Sequence, residues 1–143
     1  MATGPAFGTN VGWDFSFTVT SDFSSNQFKF VTYNGTTLAL AGAGALALGI
    51  CQDNPNGSSN SNVQSQVRTG GPSKIATGGS FNAGGKLSSD ASGQAVAYTA
   101  ATVFTGTPYT VSGTQVLGIA LEPSSTSSGY ISSMLFRPSG LSA

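Results

Sequence analysis

Large apolar and small polar side chains alternate along Trp13-Asp14-Phe15-Ser16-Phe17-Thr18-Val19-Thr20. A period of two places Trp13, Phe15 and Phe17 on one face of a strand, because successive side chains of an extended chain point to opposite sides. Two further runs, Phe28-Lys29-Phe30-Val31-Thr32-Tyr33 and Thr37-Leu38-Ala39-Leu40, flank Asn34-Gly35. That dipeptide suits a type I′ turn, in which both central residues take positive φ, so the pattern predicts a β-hairpin. More strands are expected over residues 47–52, 63–68, 73–77, 94–98, 116–121 and 130–137. No long window keeps a 3.6-residue apolar period free of glycine, which argues against helices.

Twenty glycines cut the chain into short runs separated by Ser, Thr and Asn. Such punctuation is the mark of strands and turns. Leu48-Gly49-Ile50 and Leu117-Gly118-Ile119 each lead through a proline (Pro55, Pro123) into a polar loop and back into a strand. This echo of strand, loop and strand fits a small barrel or sandwich. The expected fold is therefore all-β, a small antiparallel β-barrel or sandwich. Residues 1–12 have no period and read as an extended N-terminal arm, and residues 13–143 as a single β-rich domain. Phe7 and Val11 in the arm are costly to leave in water, so the arm is expected to fold back on its domain or to dock on a neighbour.

Composition narrows the class. Charged residues are 7% of the 143, against about 25% in an average soluble domain. Five basic and five acidic residues cancel, and no stretch gathers the cations, so neither nucleic acid nor a membrane surface is an expected partner. Near-zero net charge favours self-association. The single cysteine, Cys51, lies in an apolar run and reads as a buried thiol. The N-terminal stretch carries no basic region followed by an apolar one, so synthesis in the cytoplasm is expected. Residues 38–51, broken by three glycines, are too short to span a bilayer.

Catalysis is not expected. The chain has no histidine, which removes the commonest general base and zinc ligand. Asp14, Asp22, Asp53, Asp90 and Glu122 are scattered, and the first reading of Asp22, Asp53 and Asp90, each beside Ser or Asn, is turn-capping. Gly84-Gly85-Lys86-Leu87-Ser88 only partly matches a phosphate-binding loop and is read as a hairpin turn. No catalytic residue, cofactor, metal site or small-molecule substrate is predicted.

Several stretches occur in a recognisable order: Gln27-Phe28-Lys29-Phe30-Val31, Leu40-Ala41-Gly42-Ala43-Gly44, Leu48-Gly49-Ile50-Cys51-Gln52-Asp53-Asn54-Pro55 and Pro72-Ser73-Lys74-Ile75-Ala76. They continue with residues 83–96, Val116-Leu117-Gly118-Ile119-Ala120-Leu121-Glu122 and Ile131-Ser132-Ser133-Met134-Leu135-Phe136-Arg137-Pro138. In this order they resemble the head decoration (capsid cement) proteins of tailed bacteriophages, over nearly the whole chain. Two departures are Gly129-Tyr130, where the family often has Gly-Glu, and a longer connection over residues 98–113. The resemblance implies a virion protein, often trimeric, that binds the outer surface of the assembled icosahedral capsid, cements neighbouring major capsid subunits and stabilises the head. Its expected partners are the major capsid protein and itself, as a homotrimer. The alternative is a phage tail or fibre component, or a carbohydrate-binding β-module. Phe7, Val11, Trp13, Phe15 and Phe17, crowded into eleven positions, and Arg137, near the end of the last matched stretch, are the candidate interface residues.

Overall fold

The computed structural model describes residues 13–59, 63–100, 114–125 and 130–141. Ten strands run in order: β1 (Asp14–Thr18), β2 (Phe30–Tyr33), β3 (Leu38–Leu40), β4 (Gly49–Cys51), β5 (Gln64–Arg68), β6 (Gly71–Thr77), β7 (Lys86–Ser89), β8 (Ala95–Ala97), β9 (Gln115–Ala120) and β10 (Tyr130–Leu141). No helix occurs among the described residues. The all-β expectation holds.

The first five strands make a sheet of order β1-β5-β4-β2-β3, and the last five close into a barrel of order β10-β6-β8-β7-β9. Counted from the first strand of each unit, the two orders are the same: first, fifth, fourth, second, third. The antiparallel pairings β1/β5, β4/β5, β2/β4 and β2/β3 recur as β6/β10, β9/β10, β7/β9 and β7/β8. An isolated bridge recurs as well. Asp22 pairs with Asn56 and Phe81 with Ser124, each tying the segment after the first strand to the segment after the fourth. The chain is a tandem of one topology used twice.

What differs is closure. In the second unit β6 meets β8 in parallel at Thr77 and Ala95. The first unit shows no pairing of β1 with β3 but curls toward it: Thr20 N donates to Thr37 Oγ1 at 3.0 Å, and the Phe17 ring lies 5.1 Å from that of Tyr33.

The Leu-Gly-Ile echo falls on the fourth strand of each unit. A Cβ at Gly49 would strike the carbonyl oxygen of Arg68 on β5, and one at Gly118 the carbonyl oxygen of Leu135 on β10. Both glycines let the fifth strand lie close against the fourth. The echo in sequence thus has a packing cause.

Two cores result. Val19, Phe23, Val31, Leu38, Cys51 and Val67 fill the concave side of the first unit, with Phe17, Leu40, Leu48 and Val63 packed at their edge. The second core joins Ile75, Leu87, Leu117, Met134 and Phe136 of the barrel with Phe30 and Ile50 of the sheet. Phe30 and Ile50 face each other across β2 and β4. The rings of Phe30 and Phe136 lie 6.1 Å apart, and Phe30 N donates to Gly93 O of the second unit at 2.7 Å. Phe28 tightens this joint: its N–H donates to Cys51 O and its carbonyl accepts from Ala76 N, both at 2.7 Å. Phe28 has a φ of 61°, a left-handed conformation that costs a bulky residue about 1–3 kcal/mol. The two backbone bonds and the Lys74 ammonium 5.7 Å above the ring hold it there.

The structure corrects several expectations. The 33–38 hairpin exists, but Tyr33 pairs with Leu38, so the loop is four residues long. Only Gly35 has positive φ, at 93°, and Asn34 Oδ1 instead accepts from the N–H groups of Thr36 and Thr37, each at 2.9 Å. Residues 86–88, read as part of a turn, belong to strand β7; the turn ends at Gly85, and Leu87 alone was too little apolar signal for a strand. β10 runs on to Leu141, with Pro138 inside the register shift between Phe136 and Gly140, a place where a missing N–H breaks no ladder bond.

Candidate docking surface

Strand register decides which apolar side chains face which way. Phe15 pairs with Val67 and Phe17 with Ser65, and Val67 and Ser65 are buried. Trp13, Phe15 and Phe17 therefore share the concave face of the first unit, as the period of two requires. They do not share its core. Phe17 packs against it, whereas Trp13 is 70% exposed and Phe15 55%. At this end of β1 the strand outruns the buried cluster, and its aromatics are left in solvent. Tyr33 and Leu46, exposed on the same unit, line an apolar hollow with Thr32, Ala47 and Leu48. Singly exposed apolar residues are ordinary, but grouped ones mark interaction surfaces.

The base of β1 is held by charge. Arg68 donates from Nε to Asp14 Oδ1 at 2.7 Å and from an Nη to Asp14 Oδ2 at 2.9 Å, and from its other Nη to the Pro72 carbonyl at 2.9 Å. The bidentate bond lowers the Asp14 carboxyl below its ordinary range and raises Arg68, against partial burial. This fixes the strand carrying Trp13 and Phe15 to β5. Trp13 is tied further by its N–H to Gly70 O at 3.2 Å and its carbonyl to Thr69 N at 2.7 Å. The exposed aromatics stand on anchored backbone.

Of the remaining expected interface residues, Phe7 and Val11 lie outside the described residues. Arg137 is exposed on β10 and lines a separate hollow with Lys86, Val116, Gly118 and Ile119 on the barrel. The structure thus groups Trp13, Phe15 and Phe17 and sets Arg137 on the other unit. Tyr33 and Leu46 were missed. Tyr33 shares the two-residue period of Val31 and could have been found; Leu46 sits in a Gly/Ala stretch that carries no pattern.

Asp22, Asp53 and Asp90 accept from nearby backbone N–H groups. Asp22 Oδ1 accepts from Ser24 N at 2.9 Å, and Asp90 Oδ1 accepts from Ser92 N and Gln94 N at 2.8 Å each. Asp53 reaches across to β5, accepting from Gln66 N at 3.1 Å and from the Ser65 hydroxyl. Cys51 Sγ lies 3.2 Å from Ser65 Oγ, and burial pushes its thiol pKa up, away from the reactive thiolate.

With ten strands in two like units, the described fold can be set beside known structures. It resembles the head fiber gp8.5 N base of bacteriophage phi29. The crystal structure of that base superposes with a TM-score of 0.57 at 15% identity, covering 92% of this chain and 99% of the other. At that identity the likeness establishes a shared fold. No protein-family model and no curated protein matches the sequence.

Proposed function

We propose that the chain is a structural protein of a bacteriophage head, bound to the outer surface of the assembled icosahedral capsid, where it cements neighbouring major capsid subunits. The observation that carries this reading is the end-to-end likeness to the phi29 head fiber base. The ordered sequence resemblance to the decoration proteins points the same way. A ligand that binds only the assembled lattice stabilises it by mass action, and one that bridges subunits does so with a high effective concentration. Trp13 and Phe15, large, exposed and anchored, suit the centre of such an interface. We read the working unit as a homotrimer, as the resemblance to the decoration proteins implies and the near-neutral charge does not oppose, and as a protein without catalytic activity, since the sequence has no histidine.

A second reading, the base of a fibre projecting from the head, is favoured by what the phi29 protein is. Both readings place the chain on the virion and differ in whether it stabilises the shell. Heads assembled with and without the protein separate them. Cementing predicts that heads lacking it release DNA at a lower temperature, while a fibre base leaves the release temperature unchanged.

A further inference from the structure

On the barrel, the turn over residues 80–85 and the segment over residues 123–125 border an open hollow of about 580 Å³, within the range of small-ligand sites. Buried Phe81 and exposed Pro123 supply apolar lining, half-buried Tyr98 a ring, and Asn82 and Ser125 exposed amide and hydroxyl groups. Lys86 is its one charged residue. Its ammonium lies 6.0 Å from the centroid of the Tyr98 ring.

The walls are pinned by backbone. Phe81 N and Ser124 N each donate to the other's carbonyl at 2.9 Å, and Gly84 N donates to Ala120 O at 2.8 Å. Ala120 N donates back to Gly85 O at 2.9 Å, and Tyr98 N to Lys86 O at 2.8 Å. Gly84 takes the positive φ of 77° that the turn needs. A hollow held this way loses little entropy on taking a ligand.

Its chemistry selects the ligand. An aromatic ring beside amide and hydroxyl groups suits a sugar, which has an apolar C–H face and a polar rim. Among the described residues the one ion pair is Arg68 with Asp14, and no carboxylate lines this hollow. Lys86 therefore brings a positive charge that no acid of the hollow answers. The geometry points to a saccharide subsite that takes a sugar ring bearing an acidic group, a carboxylate or a phosphate. Lys86 pairs with the acid, Tyr98 packs on the ring, and Asn82 and Ser125 bond its hydroxyls. This inference does not depend on attachment to a capsid.

Titration of the ¹⁵N-labelled chain tests it, with glucuronate and glucose 6-phosphate as the two acidic probes and glucose, acetate and inorganic phosphate as controls. An acidic sugar should shift the amides of residues 80–86, 98 and 123–125, and whichever probe binds more tightly identifies the acid. Glucose should bind about tenfold more weakly, the discrimination of one charge-assisted hydrogen bond. Lys86→Met and Tyr98→Ala should each weaken the acidic sugar by a similar factor while still melting cooperatively, and Asn82→Ala serves if either fails to fold. Three results overturn the inference: no shifts in these turns, equal shifts from acetate or phosphate alone (an adventitious ion only), or unchanged affinity in Lys86→Met.

Discussion

Phe30→Ala tests how the two units are joined. Phe30 has no exposed surface, belongs to the core that contains Ile75, Leu87 and Met134 of the barrel, and packs 6.1 Å from the ring of Phe136. Truncating a buried phenylalanine costs about 3–5 kcal/mol in transfer and cavity terms. Loss of its ring partner accounts for about 0.5–1.5 kcal/mol of that. With a urea slope of about 2 kcal/mol/M, a loss of about 4 kcal/mol moves the midpoint down by about 2 M. Trp13 fluorescence reports the first unit and far-UV circular dichroism the whole chain. In the parent protein the two curves should coincide, because the joint makes unfolding one transition. A loss below about 1 kcal/mol, or a parent whose two probes unfold separately, would refute the shared core.

Two further substitutions follow from the same geometry. Gly118→Ala should cost about 1–3 kcal/mol by overpacking, since its Cβ meets the Leu135 carbonyl and the Met134 methyl. Gly42→Ala, with open space around it, should stay within about 0.5 kcal/mol in the same denaturation assay. Asp14 has a folded pKa held down by its hydrogen bonds to Arg68. Its contribution to stability is therefore present above the unfolded carboxyl value, about 3.9, and fades as pH falls through the lower folded value. The pair is partly exposed, so the difference between parent and Asp14→Asn should stay below about 1 kcal/mol near neutrality and vanish in acid. A difference that persists in acid would contradict this account of the pair.

The sequence carried the class of fold well because glycine spacing and two-residue alternation are local signals. Trp13, Phe15 and Phe17 do share a face, and most strands lie where short apolar runs predict. The Leu-Gly-Ile echo pointed to a repeat, but its scale was hidden. The two units share strand order and pairings, and those depend on contacts between distant residues. Closure of the second unit rests on one pairing, Thr77 with Ala95, which no pattern announces. The candidate surface was half legible. Alternation tells which side chains share a face, yet only the length of β1 relative to the buried cluster leaves Trp13 and Phe15 exposed while Phe17 is covered. The hollow beside Lys86 was illegible because Asn82, Lys86, Tyr98 and Ser125 come together from segments distant in sequence, and because residues 86–88, part of β7, were read as a hairpin turn.

The proposed attachment to an assembled shell is the core of the functional reading, and co-sedimentation of the purified chain with assembled bacteriophage capsids tests it most directly. The chain should pellet with assembled capsids, saturate at a fixed ratio to the major capsid protein, and stay in solution with unassembled capsid subunits. A folded Trp13→Ser/Phe15→Ser variant should bind capsids at least about tenfold more weakly, a loss of about 1.4 kcal/mol. Failure of the parent chain to pellet with capsids, or equal binding to unassembled subunits, would contradict it.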